Sequence, residues 1–191
     1  IDADFSIKSD LKTLNSQGYF KIPSARVKYA LYNVLIDNIK ADIDLADGGI
    51  NVKNAGFTIL SQPLKIYGTI KNDTSTDMHL TAEKLLLKGL ITAAGQAGLL
   101  KDNDIKSGTL SAEAAVTGTF QQLKPSLNLS LNNINIFNKP SSTSVKLKDT
   151  KLNIIGENES YKGIINLDSA QLINPAASVS VPSARVTLDT K

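Results

Sequence analysis

The sequence contains no cysteine, no tryptophan and a single histidine. Without Cys there is neither a disulfide framework nor a thiolate metal site. With His79 alone, multi-His metal centres, HExxH helices and a His-based triad with a spare are ruled out. Aromatics make up only 5% of the residues, so the flat rings on which bases or sugars stack are nearly missing. A net charge of +3, spread evenly over 191 residues, lacks the basic footprint of a nucleic-acid-binding protein. No Walker loop or GxGxxG is present, and no titratable pair stands at an acid/base spacing. The expectation is a non-enzymatic protein without a cofactor or metal and with no nucleic-acid partner.

Long apolar runs are missing as well. No stretch of about 20 apolar residues spans a bilayer and no signal peptide opens the chain. The chain starts at Ile1 without Met and stops in mid-pattern at Thr187-Leu188-Asp189, and it reads as a piece of something longer.

What remains is aliphatic. Hydrophobic residues are 41% of the chain, almost all Leu, Ile, Val and Ala, and they alternate with polar residues at period two. This is the pattern of strands with one buried and one wet face. Ile39, Ala41, Ile43 and Leu45 alternate with Lys40, Asp42 and Asp44. Leu64, Ile66, Gly68 and Ile70 form another set, as do Met78, Leu80 and Ala82. Leu110, Ala112, Ala114 and Val116 follow, then Leu127, Leu129 and Leu131. Later sets are Val145 and Leu147, Leu152 and Ile154, Ile165 and Leu167, Val179 and Val181, and Val186 and Leu188. Turn clusters at Asp47-Gly48-Gly49, Asn72-Asp73, Pro140-Ser141-Ser142 and Gly156-Glu157-Asn158 separate them. At least a dozen strands in an antiparallel meander are predicted.

Some strands change parity midway. After Leu131 the apolar positions resume at Ile134 and Ile136, with Asn132-Asn133 between them, and Pro23 and Pro182 interrupt two other strands. A parity switch calls for a bulge, and proline is tolerated only at a bulge or an edge. Such a sheet is expected to bend and curl. One segment breaks the alternation: Gly89–Leu100 spaces Leu90, Ile91, Ala94, Ala97 and Leu100 as a helix does, which predicts a short helix acting as a plug or lid.

The chain also echoes itself. Leu64-Lys65-Ile66-Tyr67-Gly68-Thr69-Ile70 matches Ala114-Ala115-Val116-Thr117-Gly118-Thr119-Phe120, with a fainter copy at Gly18-Tyr19-Phe20. Pro-Ser-Ala-Arg-Val occurs at 23–27 and at 182–186. The expected organisation is a single elongated segment, 1–191, with repeat units roughly at 1–71, 72–120 and 121–191.

Single residues that tempt a chemical reading have plainer ones. His79 falls on the polar side of its strand and is expected to be solvent-exposed. Asp42, Asp44 and Asp47 before Gly48-Gly49 faintly suggest a Ca²⁺ loop. Their strict alternation with Ile43 and Leu45 favours a wet strand face running into an Asp-Gly hairpin. Lys84, Lys88, Lys101, Lys106, Lys146, Lys148 and Lys151 read as a solvated surface. Arg26 and Arg185, in the repeated pentapeptide, are candidates for matching rim positions.

The stretch INVKNAGFTILSQPLKIYGTIKNDTSTDMHLTAEKLLLKGL (50–90) resembles the repeat of the AsmA/TamB superfamily of diderm bacteria. That repeat is a short strand, a hairpin, a strand closing on Gly-Thr-apolar, a polar turn and a long strand. ITAAGQAGLLKDNDIKSGTLSAEAAVTGTFQQLKPSLNLSLNNI (91–134) is similar to the family's short helix and following strands. GYFKIPSARVKY (18–29) resembles TamB-like strands. The family-specific C-terminal block is not seen, so TamB-like and other AsmA-like members are not separated.

The resemblance implies an all-β fold, a long antiparallel sheet curled into a half-pipe (a β-taco) with an aliphatic inside. It implies a periplasmic protein anchored in the inner membrane by a helix missing from this sequence. Phospholipid or other acyl-chain cargo is implied as partner, and, for TamB-like members, an outer-membrane Omp85-type barrel. The expected lining is Ile43, Leu45, Ile66, Ile70, Leu80, Val116, Leu127, Leu129, Leu131, Ile165, Leu167, Val179 and Val181. A groove about 10 Å wide of this composition takes acyl chains at about 0.8 kcal/mol per buried CH₂. The competing expectation is an assembly factor for outer-membrane proteins, or an envelope tether, whose apolar face is a closed core.

Overall fold

The computed structural model describes residues 1–9, 14–29, 34–59, 62–93, 101–157 and 160–190. The expected all-β class is what forms. The strands are β1 (Asp2–Ser9), β2 (Leu14–Tyr29), β3 (Val34–Ala46), β4 (Gly49–Ile59), β5 (Gln62–Ile70) and β6 (Ser75–Leu86). After helix α1 (Leu87–Ala93) come β7 (Asn103–Thr119), β8 (Gln122–Asn138), β9 (Thr143–Glu157), β10 (Ser160–Leu167), β11 (Ala170–Ile173), β12 (Ser178–Val181) and β13 (Ala184–Thr190). They form one antiparallel sheet whose order follows the chain from β1 to β10 and ends on β13, while β11 pairs with β9 and β12.

The helix begins at Leu87, two residues before the expected Gly89. The apolar run Leu85-Leu86-Leu87 carries the strand straight into the helix with no turn residue to mark the change. Residues 94–100 of the expected helix lie outside the described residues. Among the described residues no helix is long and apolar enough to cross a membrane.

The chain divides into two compact units. The first is Ile1–Thr81, Ala114–Ser126 and Gly156–Asn158; the second is Ala82–Glu113, Leu127–Ile155 and Glu159–Lys191.

In the first unit the apolar alternation lines up into rows. Directly opposed residues in antiparallel strands share a face, and Phe20, Ile43, Val52 and Gly68 stand opposite one another across β2 to β5. The next rows are Gly18, Leu45, Ile50 and Ile70 on one side, and Ile22, Ala41, Ala55 and Ile66 on the other. Between them runs the wet row Tyr19, Asp44, Asn51 and Thr69. Asp47 and Gly48, with φ of 51° and 74°, close the β3–β4 hairpin as the Asp-Gly pair predicts.

Bulges keep the rows on one face. The ladder slips between Ile22 and Ala25, at Pro23-Ser24, and again between Asp37 and Lys40 and between Val52 and Ala55. Each slip coincides with a change in the parity of the apolar residues, so the extra residue restores the face that the sequence would otherwise invert. Outside turns, three non-glycine residues among those described take a left-handed backbone at such switches: Asn38 (φ 50°) in β3, Lys84 (φ 51°) in β6 and Asn133 (φ 50°) in β8.

A hydroxyl on the neighbouring strand braces each of the three. Thr58 Oγ1 donates to Asp37 O (3.0 Å), Ser111 Oγ accepts from Lys84 N–H (3.1 Å), and Ser107 Oγ donates to Asn133 O (2.7 Å). At Asn133 a β-branched side chain should be costly, because the left-handed region costs L-residues about 1–2 kcal/mol. Asn133→Ile is therefore expected to lower the urea-unfolding free energy by that amount, whereas Asn133→Gly should leave it nearly unchanged. Equal losses for both variants would mean that the backbone there is not left-handed.

In the second unit the parity switches form a seam. Ile105 gives way to Leu110 in β7, Leu131 to Ile134 in β8, Leu147 to Leu152 in β9, Leu167 to Ala170 between β10 and β11, and Val181 to Ala184 between β12 and β13. Ser107 meets Asn133 as above, and Lys148 N–H donates to Ser169 O at 3.0 Å. Ser107, Asn133, Lys148 and Ser169 line one shallow depression of about 400 Å³. The last hairpin keeps a single register through the seam: Leu167 faces Ala184 and Ala170 faces Val181, so Asp168-Ser169 stand opposite Pro182-Ser183. Pro182 lacks the N–H that a continuous ladder needs, which accounts for the break between β12 and β13.

Tight packing is local. Among the described residues the buried hydrophobics are Val52 in the first unit and Ala82, Leu85, Ile105 and Ile134 in the second. Leu85 lies just before α1 begins. A Cβ on Gly108 would come within 2.7 Å of Ile134 Cδ1 and 3.4 Å of Leu87 Cδ2, so the first turn of the helix closes against the sheet at this point.

Candidate functional site

The thirteen expected lining residues are spread over both units. In the first, Ile43, Leu45, Ile66, Ile70, Leu80 and Val116 are all half-buried. Ile43, Leu45, Ile66 and Ile70 belong to the three cross-strand rows that also hold Phe20, Ile22, Ile50 and Val52. In the second unit Leu127, Leu129, Leu131, Ile165 and Leu167 are half-buried, while Val179 and Val181 are 58% and 39% exposed. Ile165 pairs with Val186 and Leu167 with Ala184. Val179 and Val181 lie beyond the seam, opposite Leu172 and Ala170, which in turn face Val145 and Leu147. Not one of the thirteen is buried.

Several apolar residues that belong with this surface were not among the expected thirteen. Ile50, Leu172 and Val186 are exposed large hydrophobics paired with the expected Ile70, Val179 and Ile165, and the exposed Val145 and Leu188 face Leu172 and Gly163. The alternation that identified the others carries the same signal for these.

The charged residues pair across strands on the wet side. The Arg26 guanidinium donates to both carboxylate oxygens of Asp37 at 3.0 Å each. That bond, with help from the Asn38 N–H, holds the Asp37 carboxyl below the usual carboxylate range. Lys53 pairs with Asp44, Lys124 with Glu157 at 2.9 Å and Lys148 with Asp168 at 3.0 Å. Asp44 is thus a strand-face partner of a lysine rather than part of a Ca²⁺ loop, and among the described residues no group of three His, Asp or Glu could hold a metal ion. Lys84, Lys88, Lys101, Lys106, Lys146, Lys148 and Lys151 are all exposed, as a solvated surface requires. Arg185 stands opposite Asn166 and, with Asn132, Asp149, Lys151 and Asp168, lines an open depression of about 820 Å³ in the second unit.

His79 departs from expectation. Its side chain is only 26% exposed. The Tyr67 ring on β5 stacks over it with centroids 5.0 Å apart and planes 10° from parallel, and Nε2 lies 2.9 Å from Asp77 Oδ1. A neighbouring aromatic has covered a residue that strand parity alone assigns to water. Tyr67 and Asp77 together fix the orientation of the ring.

Chemically, then, the chain offers two kinds of surface: aliphatic rows without polar anchors, and a wet side of paired charges. Comparison with protein-family models, with curated proteins and with solved structures finds no match to this chain.

Proposed function

We propose that the aliphatic rows are a binding track for acyl chains, and that the protein shields or carries phospholipid between the two membranes of a diderm cell envelope. The observation that supports this most is the state of the apolar face. A closed core would bury most of its lining, yet every expected lining residue is half-buried or exposed. All thirteen strands belong to one sheet, so no second sheet among the described residues covers the rows. Leu, Ile and Val present no hydrogen-bonding group, so a chain lying on them gains about 0.8 kcal/mol per covered CH₂ and is free to slide. The resemblance to AsmA/TamB repeats supports the same reading, and with it a periplasmic place, an inner-membrane anchor and, for a TamB-like member, an Omp85-type partner.

A second reading has one observation in its favour. Ala82, Leu85, Ile105 and Ile134 are each buried, as parts of a scaffold for outer-membrane protein assembly or of an envelope tether would be.

Site-specific photo-crosslinking separates the two. With the photoreactive residue at Ile66 or Leu129, labelled phospholipid is expected to attach; at Lys65 or Asn128, on the wet side, it should not. Equal labelling at all four positions, or none at any, would reject the track. Native mass spectrometry of the purified protein should in parallel show co-purified lipid.

A further inference from the structure

In the first unit the rows end between two hairpin turns. Ile50 faces Ile70 across β4 and β5, which brings the β3–β4 turn beside the β5–β6 turn. The approach is close: a Cβ on Gly49 would lie 2.9 Å from Ile70 O and 3.5 Å from Lys71 Cα. A pocket of about 440 Å³ opens at this end, with Ala46, Ile50 and Ile70 as its apolar part and Asp47, Lys71 and Asp73 among its polar residues. Ile50 is 38% exposed there, although it shares a row with Leu45 and Ile70. The volume is within the range of about 300–1,000 Å³ typical of small-molecule sites.

Local structure fixes the Asp73 carboxylate and the Lys71 backbone. The Asp73 carboxylate accepts from the Ser75 hydroxyl at 2.6 Å and from the Ser75 N–H at 2.9 Å. Those bonds hold it below the usual carboxylate range, so it is ionised at neutral pH. Both fall on Oδ1, which leaves Oδ2 for a donor. Lys71 is anchored through its backbone, its N–H donating to Ser75 O at 2.8 Å and its carbonyl accepting from Thr74 N–H at 2.9 Å. One lysine and two aspartates thus border a largely apolar pocket.

We propose that this pocket is a headgroup station for zwitterionic, amine-bearing phospholipids. The headgroup phosphate meets Lys71, the headgroup ammonium meets Asp47 and Asp73, and an acyl chain runs from Ile50 and Ile70 onto the rows. A headgroup bearing only negative charge faces two carboxylates for one ammonium and is disfavoured. The assignment rests on the acyl-chain reading of the rows and adds a selectivity that aliphatic residues alone do not supply.

The test uses the purified protein incubated with vesicles of phosphatidylethanolamine or of phosphatidylglycerol, followed by vesicle removal and quantification of bound lipid. Phosphatidylethanolamine is expected to be retained about ten-fold more, a ratio set by roughly 1.4 kcal/mol of preference. In the Asp47→Asn, Asp73→Asn double variant the ratio should fall to near one. Asp47→Asn alone is the safeguard, because Asn suits the left-handed turn position; it should reduce the ratio in part. Equal retention by the unaltered protein, or a preference that survives both variants, overturns the headgroup station while leaving the acyl track standing. No retention of either lipid overturns both.

Discussion

Gly68→Ala is expected to destabilise the protein by about 3 kcal/mol or more, lowering its melting temperature by roughly 6–12 °C. Two causes add. Gly68 has φ of 138°, where L side chains are strained, and the new Cβ would collide with the Asp77 carbonyl oxygen on β6. That oxygen is backbone, so relief requires the strands to part. Gly163 in β10 is the control, since a Cβ there meets only the Leu188 side chain at 3.5 Å and 3.7 Å and the Asn153 carbonyl oxygen at 3.9 Å. Gly163→Ala should melt within a degree or two of the unaltered protein. A thermal melt followed by circular dichroism decides the matter; a Gly68→Ala curve that overlays the parent would place Gly68 wrongly.

The same geometry accounts for an echo in the sequence. Gly118, in Val-Thr-Gly-Thr-Phe, has φ of 101°, and its Cβ would strike the Gln122 carbonyl oxygen. Gly68 and Gly118 thus recur before a hairpin because the returning strand passes too close for any side chain.

Leu129→Asp should remove lipid binding without removing the fold. Leu129 is half-buried in β8 and flanked by exposed Asn128 and half-buried Ser130. A carboxylate at an apolar centre costs on the order of 3 kcal/mol, so lipid occupancy should drop about a hundred-fold. The far-ultraviolet circular dichroism should be unchanged, because water can still reach the new charge when no lipid is bound. Ile134→Asp makes the contrast. Ile134 is 4% exposed and packs beside Gly108, and a charge buried there should unfold the second unit. If Leu129→Asp also unfolds the protein, the face it occupies is a core and the acyl track is lost.

Much of this arrangement was legible as alternation. Period two places residues such as Ile43, Leu45 and Ile66 on one face, and consecutive strands with short turns pair in chain order by default. The switch after Leu131 pointed to Asn132-Asn133, and the left-handed residue is Asn133. Other features depend on distances along different strands. The seam through β7 to β13 arises because hairpin lengths bring five separate switches to one level, which no single window of sequence displays. The bracing hydroxyls of Thr58, Ser107 and Ser111 read locally as ordinary polar strand residues. His79 was misjudged because its cover, Tyr67, is a cross-strand neighbour twelve positions away. The pocket beside Ile50 and Ile70 was hidden for a similar reason, since Asp47 and Asp73 border it only once β4 and β5 have paired.

A sheet whose strand order follows the chain, as it does from β1 to β10, has an unusual genetic property there. Duplicating or deleting one hairpin leaves every other pairing intact and changes the width of the sheet by about 10 Å, two strand spacings. An even number of strands preserves the direction of both edges, and it preserves the facing of the aliphatic rows, provided that the copied hairpin carries its bulge with it. Length in such a protein is then a heritable quantity adjusted in fixed steps, and a single-residue deletion at Asn38, Lys84 or Asn133 would be far more damaging than the loss of a whole hairpin.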